Sequence, residues 1–380
     1  MLRILFGSIL LVSISVGCNV AVVPGGGTDQ GNGDSDGGGG SGQGGTSSQI
    51  TGPRIIASGA TLGEMATFEG GISTYRIEGS LISSESDETL SPGMFLEGDP
   101  SCLTTTDELA RLGINAAGEL LVLARSAGDC EDPDSFFVNV YADATRLDGV
   151  QQPVRTAILE DPFDESDGAI EMAVDRQRDL LYVSSDDPQG SFDPQGDRTP
   201  KRIYVYEGIS QASFDEIVSP VRTIILPFSS IVTLAIGTDD TLYVRDAVVS
   251  RITNASTRDG TLTENDFERE NFGEIEDITV DSQNRLWMLR RNFQFGLGDT
   301  GSVLRVNDDF TDTDVDALIS FAGIPNLLRI DSQGTAYVHA VGQVRTYANI
   351  ESGSPDVGTT LSGITTLLSF EQGSPFILAE

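Results

Sequence analysis

Apolar and polar residues alternate in the same rhythm at six places along this chain. At each place an alternating apolar segment leads into a short polar turn and then into a second apolar segment. Alternation with a period of two predicts β-strands, because successive side chains of a strand point to opposite faces. The six copies align without gaps over residues 111–123, 171–183, 233–245, 277–289, 327–339 and 367–379.

The polar turns fall at one equivalent position of these copies, which we number from a reference residue, the fifth of each copy. Small polar residues tolerate a left-handed backbone or bond to their own amides, so these turns are predicted to be hairpins. The six reference residues are Asn115, Asp175, Gly237, Asp281, Asp331 and Glu371.

Further strands follow each hairpin. The near-identical segments PVRTAIL (153–159) and PVRTIIL (220–226) mark the outermost strand of two successive units. Four strands in a unit of roughly 40–60 residues is the size of a propeller blade. The chain is therefore predicted to be an all-β protein, a six-bladed β-propeller of four-stranded blades.

The two ends of the chain are predicted to complete one blade together. The last copy supplies only two strands, and residues 73–83 and 91–98 resemble the missing third and fourth strands. Such a closure removes exposed sheet edges that would otherwise template aggregation. An open β-solenoid, or a seven-bladed ring with one degenerate blade, is the alternative.

The first 50 residues divide into two segments that precede the propeller at 51–380. Residues 1–18 contain Arg3, an apolar run from Ile4 to Val16 and the pair Gly17-Cys18, a pattern typical of an export signal rather than a membrane span. Residues 19–50 are rich in Gly, Ser and Asp and are predicted to form a flexible tether.

Cys18 follows glycine in a way that resembles the lipobox of bacterial lipoproteins, although Ser15 stands where leucine is usual. The resemblance implies that Cys18 is acylated and that the protein is held in the bacterial cell envelope, at the outer membrane or the cell surface. Secretion with loss of Cys18 is the alternative. Cys102 and Cys130 then remain as an even pair in an oxidising compartment, and a disulfide between them is predicted.

Charge limits the partners of the chain. There are 58 acidic and 23 basic residues, for a net charge of −35. Nucleic acid and anionic lipid surfaces would be repelled, so neither is expected as a direct partner. Contact with a bilayer is expected through the acyl anchor only, and the protein is expected to be monomeric.

Three long connections between second and third strands are predicted at 126–135, 186–200 and 290–301, all on one face of the disc. Long loops on a rigid scaffold commonly carry binding residues. Aspartates in the middle loop could supply oxygen ligands to calcium. The candidate residues of this rim are Asp186, Asp187, Asp193, Asp197, Arg290 and Arg291.

A second candidate site lies where the first strands begin. Glu171 and Asp277 occupy the position four residues before the reference, and Glu276 and Asn326 occupy the position before that. Oxygen ligands converging from different blades near the axis could hold a divalent ion such as calcium. Leucine stands at the equivalent position in the last two copies.

In its repeat rhythm over residues 68–380 the chain resembles the six-bladed NHL-repeat and SMP-30/gluconolactonase-like (TolB-like) propellers. Some members of that group are calcium- or zinc-dependent lactonases with a metal in the channel. No nucleophile or zinc motif is visible, and the only histidine, His339, is expected to pack in a strand. The leading hypothesis is a non-enzymatic binding or scaffold module for a protein or glycan. A metal-dependent lactonase and a purely structural envelope component are the alternatives.

Overall fold

Antiparallel β-sheet makes up most of the chain that can be described. The computed structural model describes residues 54–61, 69–78, 81–82, 89–90, 111–125, 136–144, 153–160, 170–185, 201–214, 216–227, 231–294, 298–311, 313–319, 325–340, 343–352, 359–361 and 376–379. The predicted signal, the tether, all three cysteines and the segments 126–135 and 186–200 lie outside these ranges. No helix within them is long and apolar enough to cross a membrane.

The strands are numbered along the chain. Four N-terminal strands come first: β1 (Arg54–Thr61), β2 (Glu69–Glu78), β3 (Leu81–Ile82) and β4 (Thr89–Leu90). The next nine are β5 (Arg111–Ile114), β6 (Leu120–Arg125), β7 (Phe136–Tyr141), β8 (Arg155–Leu159), β9 (Ile170–Asp175), β10 (Leu180–Ser185), β11 (Lys201–Glu207), β12 (Glu216–Val218) and β13 (Arg222–Leu226).

The C-terminal half continues in the same way. Its strands are β14 (Thr233–Ile236), β15 (Thr241–Arg245), β16 (Val249–Thr253), β17 (Gly260–Thr261), β18 (Glu268–Glu270), β19 (Ile275–Val280), β20 (Leu286–Gln294), β21 (Gly298–Val306), β22 (Thr313–Ile319), β23 (Pro325–Ile330), β24 (Ala336–Ala340), β25 (Gln343–Tyr347), β26 (Thr359–Leu361) and β27 (Phe376–Ala379). Three short 3-10 helices span Ile209–Gln211, Ala255–Thr257 and Ile350–Ser352.

Five successive sheets have the strand order of a propeller blade, and we call them blades A to E. Blade A is β5–β8, blade B is β9, β10, β11 and β13, blade C is β14, β15, β16 and β18, blade D is β19–β22, and blade E is β23–β26. Their first strands contact one another in sequence, and β27 contacts both β23 and β5. Because this series of contacts closes on itself, the first strands are arranged around a central axis. The predicted all-β propeller fold is confirmed.

The blade count differs from the prediction, because five complete blades are described rather than six. The remaining sheet has the order β27-β1-β2-β3. In it β1, not residues 73–83, lies beside the C-terminal strand, with Ile55 opposite Leu378, and β2 lies one strand further out. Small residues at 57–60 hide the alternation of β1 in the sequence, which is why it was missed. Residues 91–98 and the first strand of the last copy lie outside the described ranges.

Two short strands cross between neighbouring blades, a feature the repeat did not predict. β12 belongs to the connection that leads from β11 to β13 in blade B, yet it pairs in parallel with β8 of blade A. β17 pairs in the same way with β13 of blade B. Each follows a 3-10 helix that begins after a left-handed residue, Gly208 (φ 77°) or Asn254 (φ 54°). We call β12 and β17 the clasp strands.

The hydrophobic core lies between the faces of adjacent blades, and neighbouring inner strands approach each other closely at Gly113. A Cβ atom on Gly113 would lie 2.5 Å from Cγ2 of Val174 in the next blade. Contacts that short do not occur, so blade B leaves no room for a side chain there. The equivalent residues of blades B and C, Ala173 and Ala235, are buried alanines. Small residues at this position of blades A to C therefore permit close packing of their inner strands.

Candidate functional site

The carboxylates of the reference aspartates accept hydrogen bonds from backbone amides of their own hairpin turns. Oδ1 of Asp331 accepts hydrogen bonds from the amides of Gln333 (3.0 Å) and Thr335 (2.7 Å). Asp281 accepts the equivalent bonds from the amides of Gln283 (2.8 Å) and Arg285 (3.0 Å). These carboxylates are buried in their own turns, so they have a structural role and are poor candidates for ligand binding.

A cavity of about 330 Å³ runs between the first strands. Aliphatic side chains of the first strands line part of its wall, and most of its polar groups lie at the end formed by the hairpin turns, which we call the turn face. The opposite end, where each first strand begins, is the upper face, and the side chains there form the channel mouth. Residues that line the cavity include Leu112, Met172, Leu234, Ile278, Ile330 and Leu378.

Glu171 lies at the channel mouth with Arg111 of the neighbouring blade. Nη2 of Arg111 donates to Oε1 of Glu171 at 2.8 Å, and the two side chains are 14% and 18% exposed. Burial raises the pKa of Glu171; attraction to Arg111 opposes this rise, and the charge of Asp277 adds to it. The carboxylate is therefore short of water and is stabilised mainly by one guanidinium.

Asp277 is more deeply buried and is also fully engaged. Its Oδ2 accepts hydrogen bonds from the backbone amide of Leu328 and from Nη1 of Arg329, both at 2.8 Å. The residue is only 2% exposed. Asp277 thus caps an amide on the inner edge of blade E and neutralises an arginine at the same point.

Arg245 is the third arginine of the channel mouth. It extends from the second strand of blade C, where Nη1 donates to the carbonyl of Ile275 and Nε to Oγ1 of Thr233 at 3.4 Å. Burial lowers the pKa of Arg245, and the charges of Asp277, Glu276 and Glu171 act in the opposite direction. Three arginines thus lie among the carboxylates that the sequence singled out as metal ligands.

The other predicted ligands lie further from this cluster. Glu276 is half-buried, with Oε1 3.9 Å from Nη1 of Arg291, and Asn326 is half-buried in β23. In the part of the chain that the structure describes, no group of three His, Cys, Asp or Glu side chains is arranged to hold a metal ion. Glu171 and Asp277 are brought near each other, but each faces an arginine.

The predicted loop at 290–301 is largely a β-hairpin, which corrects the sequence-based expectation. Arg290 pairs with Ile275 and Ser302, and Arg291 pairs with Gly301. The amide of Arg291 donates to the carbonyl of Glu274 at 2.8 Å. After Arg291, β20 pairs only with β21, and the two strands continue as a hairpin beyond the blade. The aligned repeat ends at residue 289, so the segment was assigned to the connection between the second and third strands, whereas β20 extends past the repeat to Gln294. The aspartates at 186, 187, 193 and 197 lie outside the described residues.

Sequence reasoning missed the roles of Arg111, Arg245 and Arg329. Arg111 shares its repeat position with Glu171 and Asp277, and opposite charges in one position of adjacent blades were the available signal. Arg245 and Arg329 come from other positions of the repeat, so no pattern linked them to the cluster. His339 is 2% exposed in β24, between Leu327 and Val344, a packed position that argues against a catalytic role.

Replacing Glu171 by glutamine should make the protein relatively more stable as the pH rises. Because the folded-state pKa lies above the unfolded value of 4.5, the stability linked to Glu171 is fully present below that value and is lost as the pH rises through the folded-state pKa. Glutamine stays neutral throughout. Urea unfolding of both proteins at about pH 4, 5.5 and 7 should therefore show the difference moving in favour of the variant. A difference that does not change with pH contradicts this account.

Solved structures resemble this chain in fold, but comparison of its sequence with known families and curated proteins finds no match. No protein-family model and no curated protein matches the chain. A protein of unknown function from Bacteroides caccae is 7% identical, with 87% of this chain and 99% of that one covered and a TM-score of 0.48. The periplasmic gluconolactonase of Pseudomonas aeruginosa is 11% identical, with coverages of 86% and 100% and a TM-score of 0.49.

A structure of the nidogen/laminin complex is equally similar. It is 11% identical, with 87% of this chain and 99% of that one covered and a TM-score of 0.49. The gluconolactonase and the nidogen/laminin complex are therefore similar to this chain to the same degree. Its function has to be argued from its own residues.

Proposed function

We propose that this protein is an exported, lipid-anchored β-propeller that acts as a non-enzymatic binding module for a protein or a glycan. One observation carries the proposal: both acidic residues at the channel mouth are engaged by arginines, Glu171 by Arg111 and Asp277 by Arg329. A metal ion at this site would have to displace these guanidiniums from their carboxylates, and separating a partly buried ion pair is costly. The mouth is thus better suited to recognition than to metal catalysis.

The upper face is the binding surface in this proposal. The hairpin of β20 and β21 extends beyond blade D there, because residues after Arg291 pair only with each other. Its described side chains include the polar residues Arg291, Asn292 and Thr300, and Asn292 is held by hydrogen bonds with Arg290 and Ser302. Polar groups on a rigid scaffold suit a protein or glycan partner.

The remaining features of the proposal concern the ends of the chain. The sheet of β27, β1 and β2 would be the sixth blade, closed by N-terminal strands. Cys18 would carry the acyl anchor in the cell envelope, residues 19–50 would be the tether, and Cys102 and Cys130 would form a disulfide. The net charge of −35 supports a partner other than nucleic acid.

A metal-dependent lactonase is the second candidate, and one observation favours it. Burial raises the pKa of Glu171 among charged neighbours, and perturbed carboxyl groups are concentrated at catalytic sites. In that case Glu171 and Asp277 would be the residues closest to the chemistry, and calcium or zinc would supply Lewis acidity. Each would have to leave its arginine to bind the metal.

Metal titration separates the two candidates. We expect calorimetry of metal-stripped protein to detect no calcium or zinc binding that depends on Glu171 or Asp277. Micromolar binding that is lost in both Glu171→Gln and Asp277→Asn, together with metal-dependent hydrolysis of a sugar lactone, would replace the binding module by the lactonase. Binding that survives both substitutions would assign the ion to another part of the protein.

The binding role itself is tested on immobilised polysaccharides and envelope proteins. Retention of the purified protein should fall at least tenfold when residues 292–300 are replaced by a two-residue turn. The matched control is Gln333→Ala on the turn face, which should bind like the wild type. Equal loss in both variants, or no retention of the wild type on any surface, would contradict recognition through the upper face.

A further inference from the structure

The outer edges of blades A and B are each covered by a clasp strand that comes from the next blade. β12 belongs to residues 208–221, which connect β11 to β13, and β17 belongs to residues 254–267, which connect β16 to β18. Each clasp strand runs parallel to the outermost strand that it covers. The fold therefore has a recurrent position for a fifth strand at the outer edge of a blade.

Blade C does not receive a clasp strand, because the corresponding connection of blade D is too short. β21 ends at Val306 and β22 begins at Thr313. Between them the amide of Phe310 donates to the carbonyl of Asn307 at 3.0 Å, which closes a tight turn. The chain thus returns directly to its own blade. Among the described residues, β18 accordingly pairs with β16 alone.

The turn of blade D packs against the face of blade C rather than along its edge. The ring centroid of Phe310 lies 4.8 Å from the guanidinium carbon of Arg251 in β16 and 5.6 Å from the ring centroid of Phe272. These contacts belong to the hydrophobic core between the two blades. They leave the outer side of β18 open to an added strand.

The open edge is accessible as well as unpaired. β18 consists of Glu268, Arg269 and Glu270, and on its inner side it pairs with residues 249–251 of β16. The side chains of Glu268 and Arg269 are 59% and 39% exposed. An edge strand presents unpaired backbone N–H and C=O groups that a further strand can bind. A strand added here would extend blade C as β12 extends blade A.

The charges around this edge select among possible partners. Glu264 and Glu274 are exposed within four residues of β18, and Asp308 and Asp309 are exposed in the turn of blade D. The charge of Arg269 is offset by Asp246, whose Oδ2 lies 2.9 Å from Nη2. A second copy of this chain, with a net charge of −35, would be repelled, whereas a basic segment would be attracted.

We propose that the outer edge of β18 binds an extended, basic segment of a partner protein as a fifth strand of blade C, parallel to β18. Backbone hydrogen bonds would pair the two strands, and the surrounding carboxylates would favour lysine and arginine side chains. This surface is separate from the upper face, so the interaction is additional to the proposed function.

A labelled peptide of alternating lysine and threonine residues tests the proposal, with a copy N-methylated at every amide as the comparison ligand. The first peptide should bind saturably at low ionic strength and more weakly as salt is added. The methylated copy keeps the charges but cannot donate backbone hydrogen bonds, so it should bind at least tenfold more weakly. Binding of the first peptide should slow hydrogen exchange of the amides at 267–271 and leave those of β8 and β13 unchanged.

Glu270→Lys tests the charge in the protein itself. Glu270 is half-buried at the end of β18, and reversing its charge should weaken peptide binding at least threefold. The matched control is Glu207→Lys, which makes the same charge change at an exposed position of β11, a strand that is paired on both sides. The control should bind the peptide like the wild type. Thermal unfolding of each variant establishes that it is folded.

Several outcomes would overturn the proposal. Absence of saturable binding would exclude a site for this class of peptide. Equal binding of the two peptides, or an equal loss in Glu207→Lys, would mean that only general attraction between opposite charges is at work. Exchange that is slowed elsewhere but not at 267–271 would place the peptide on another surface. Dimerisation of the protein alone, with slowed exchange at 267–271, would assign the edge to a second copy.

Discussion

Replacing Trp287 by alanine is expected to lower the free energy of unfolding by about 3–5 kcal/mol. Trp287 is completely buried in the cluster between blades D and E, where it packs with Leu328 and Val338. Its indole N–H donates to Oδ2 of Asp281 at 2.8 Å. The substitution therefore opens a large cavity and removes a donor from a buried carboxylate. Both effects act on the same junction, so this is the largest single effect we expect in the described core.

Trp287→Phe separates the two contributions. Phenylalanine keeps most of the apolar contact and loses the hydrogen bond, so we expect a loss of about 1 kcal/mol. Trp287 is the only tryptophan of the chain, and unfolding in urea should therefore be followed by circular dichroism in all three proteins. A loss below about 1 kcal/mol for the alanine variant would mean that neighbouring side chains fill the cavity between blades D and E, and it would contradict this prediction.

Replacing Asp277 by alanine is expected to cost a similar amount, about 3–5 kcal/mol, for an electrostatic reason. The substitution removes the carboxylate that balances the charge of Arg329 and that accepts from the amide of Leu328. Asp277 is 2% exposed, so water cannot easily take its place. Chemical unfolding near neutral pH measures the loss.

Two variants check this explanation. Asp277→Asn keeps an acceptor oxygen for Leu328 but removes the charge, so its loss should be intermediate. Glu276→Gln changes the adjacent residue, whose carboxylate is half-buried and 3.9 Å from Arg291, and should cost only about 0–1 kcal/mol. Equal losses at positions 276 and 277 would refute a specific role for the buried pair.

The repeat predicted the first two strands and the hairpin of each described blade well, because interactions between residues close in sequence determine them. Alternation marks strands such as β9 and β10, and Asp175 at the turn bonds to the amide of Gln177 two residues later (2.9 Å). These relations span only a few residues. Sequence periodicity therefore locates them without knowledge of the rest of the chain.

Contacts between distant segments were not predictable in the same way. The clasp strands have only two or three residues and no periodicity, and they are strands only because an outer edge in the preceding blade accepts them. At the channel mouth, Arg111 and Glu171 are 60 residues apart, and Asp277 and Arg329 are 52 apart. The sequence located the carboxylates, but not the arginines that determine their chemistry.

The clasp strands impose an order on how the chain can mature during synthesis. The outermost strand of blade A, β8, has no partner on its outer edge until β12 has been synthesised, up to residue 218. In the same way, β13 of blade B has no outer partner until β17 has been synthesised, up to residue 261. β1, the first strand in the described part of the chain, pairs with β27 and acquires that partner only when residues 376–379 have been synthesised. Premature termination anywhere before β27 would therefore leave β1 with an unpaired edge, which is an opportunity for pairing with another nascent chain.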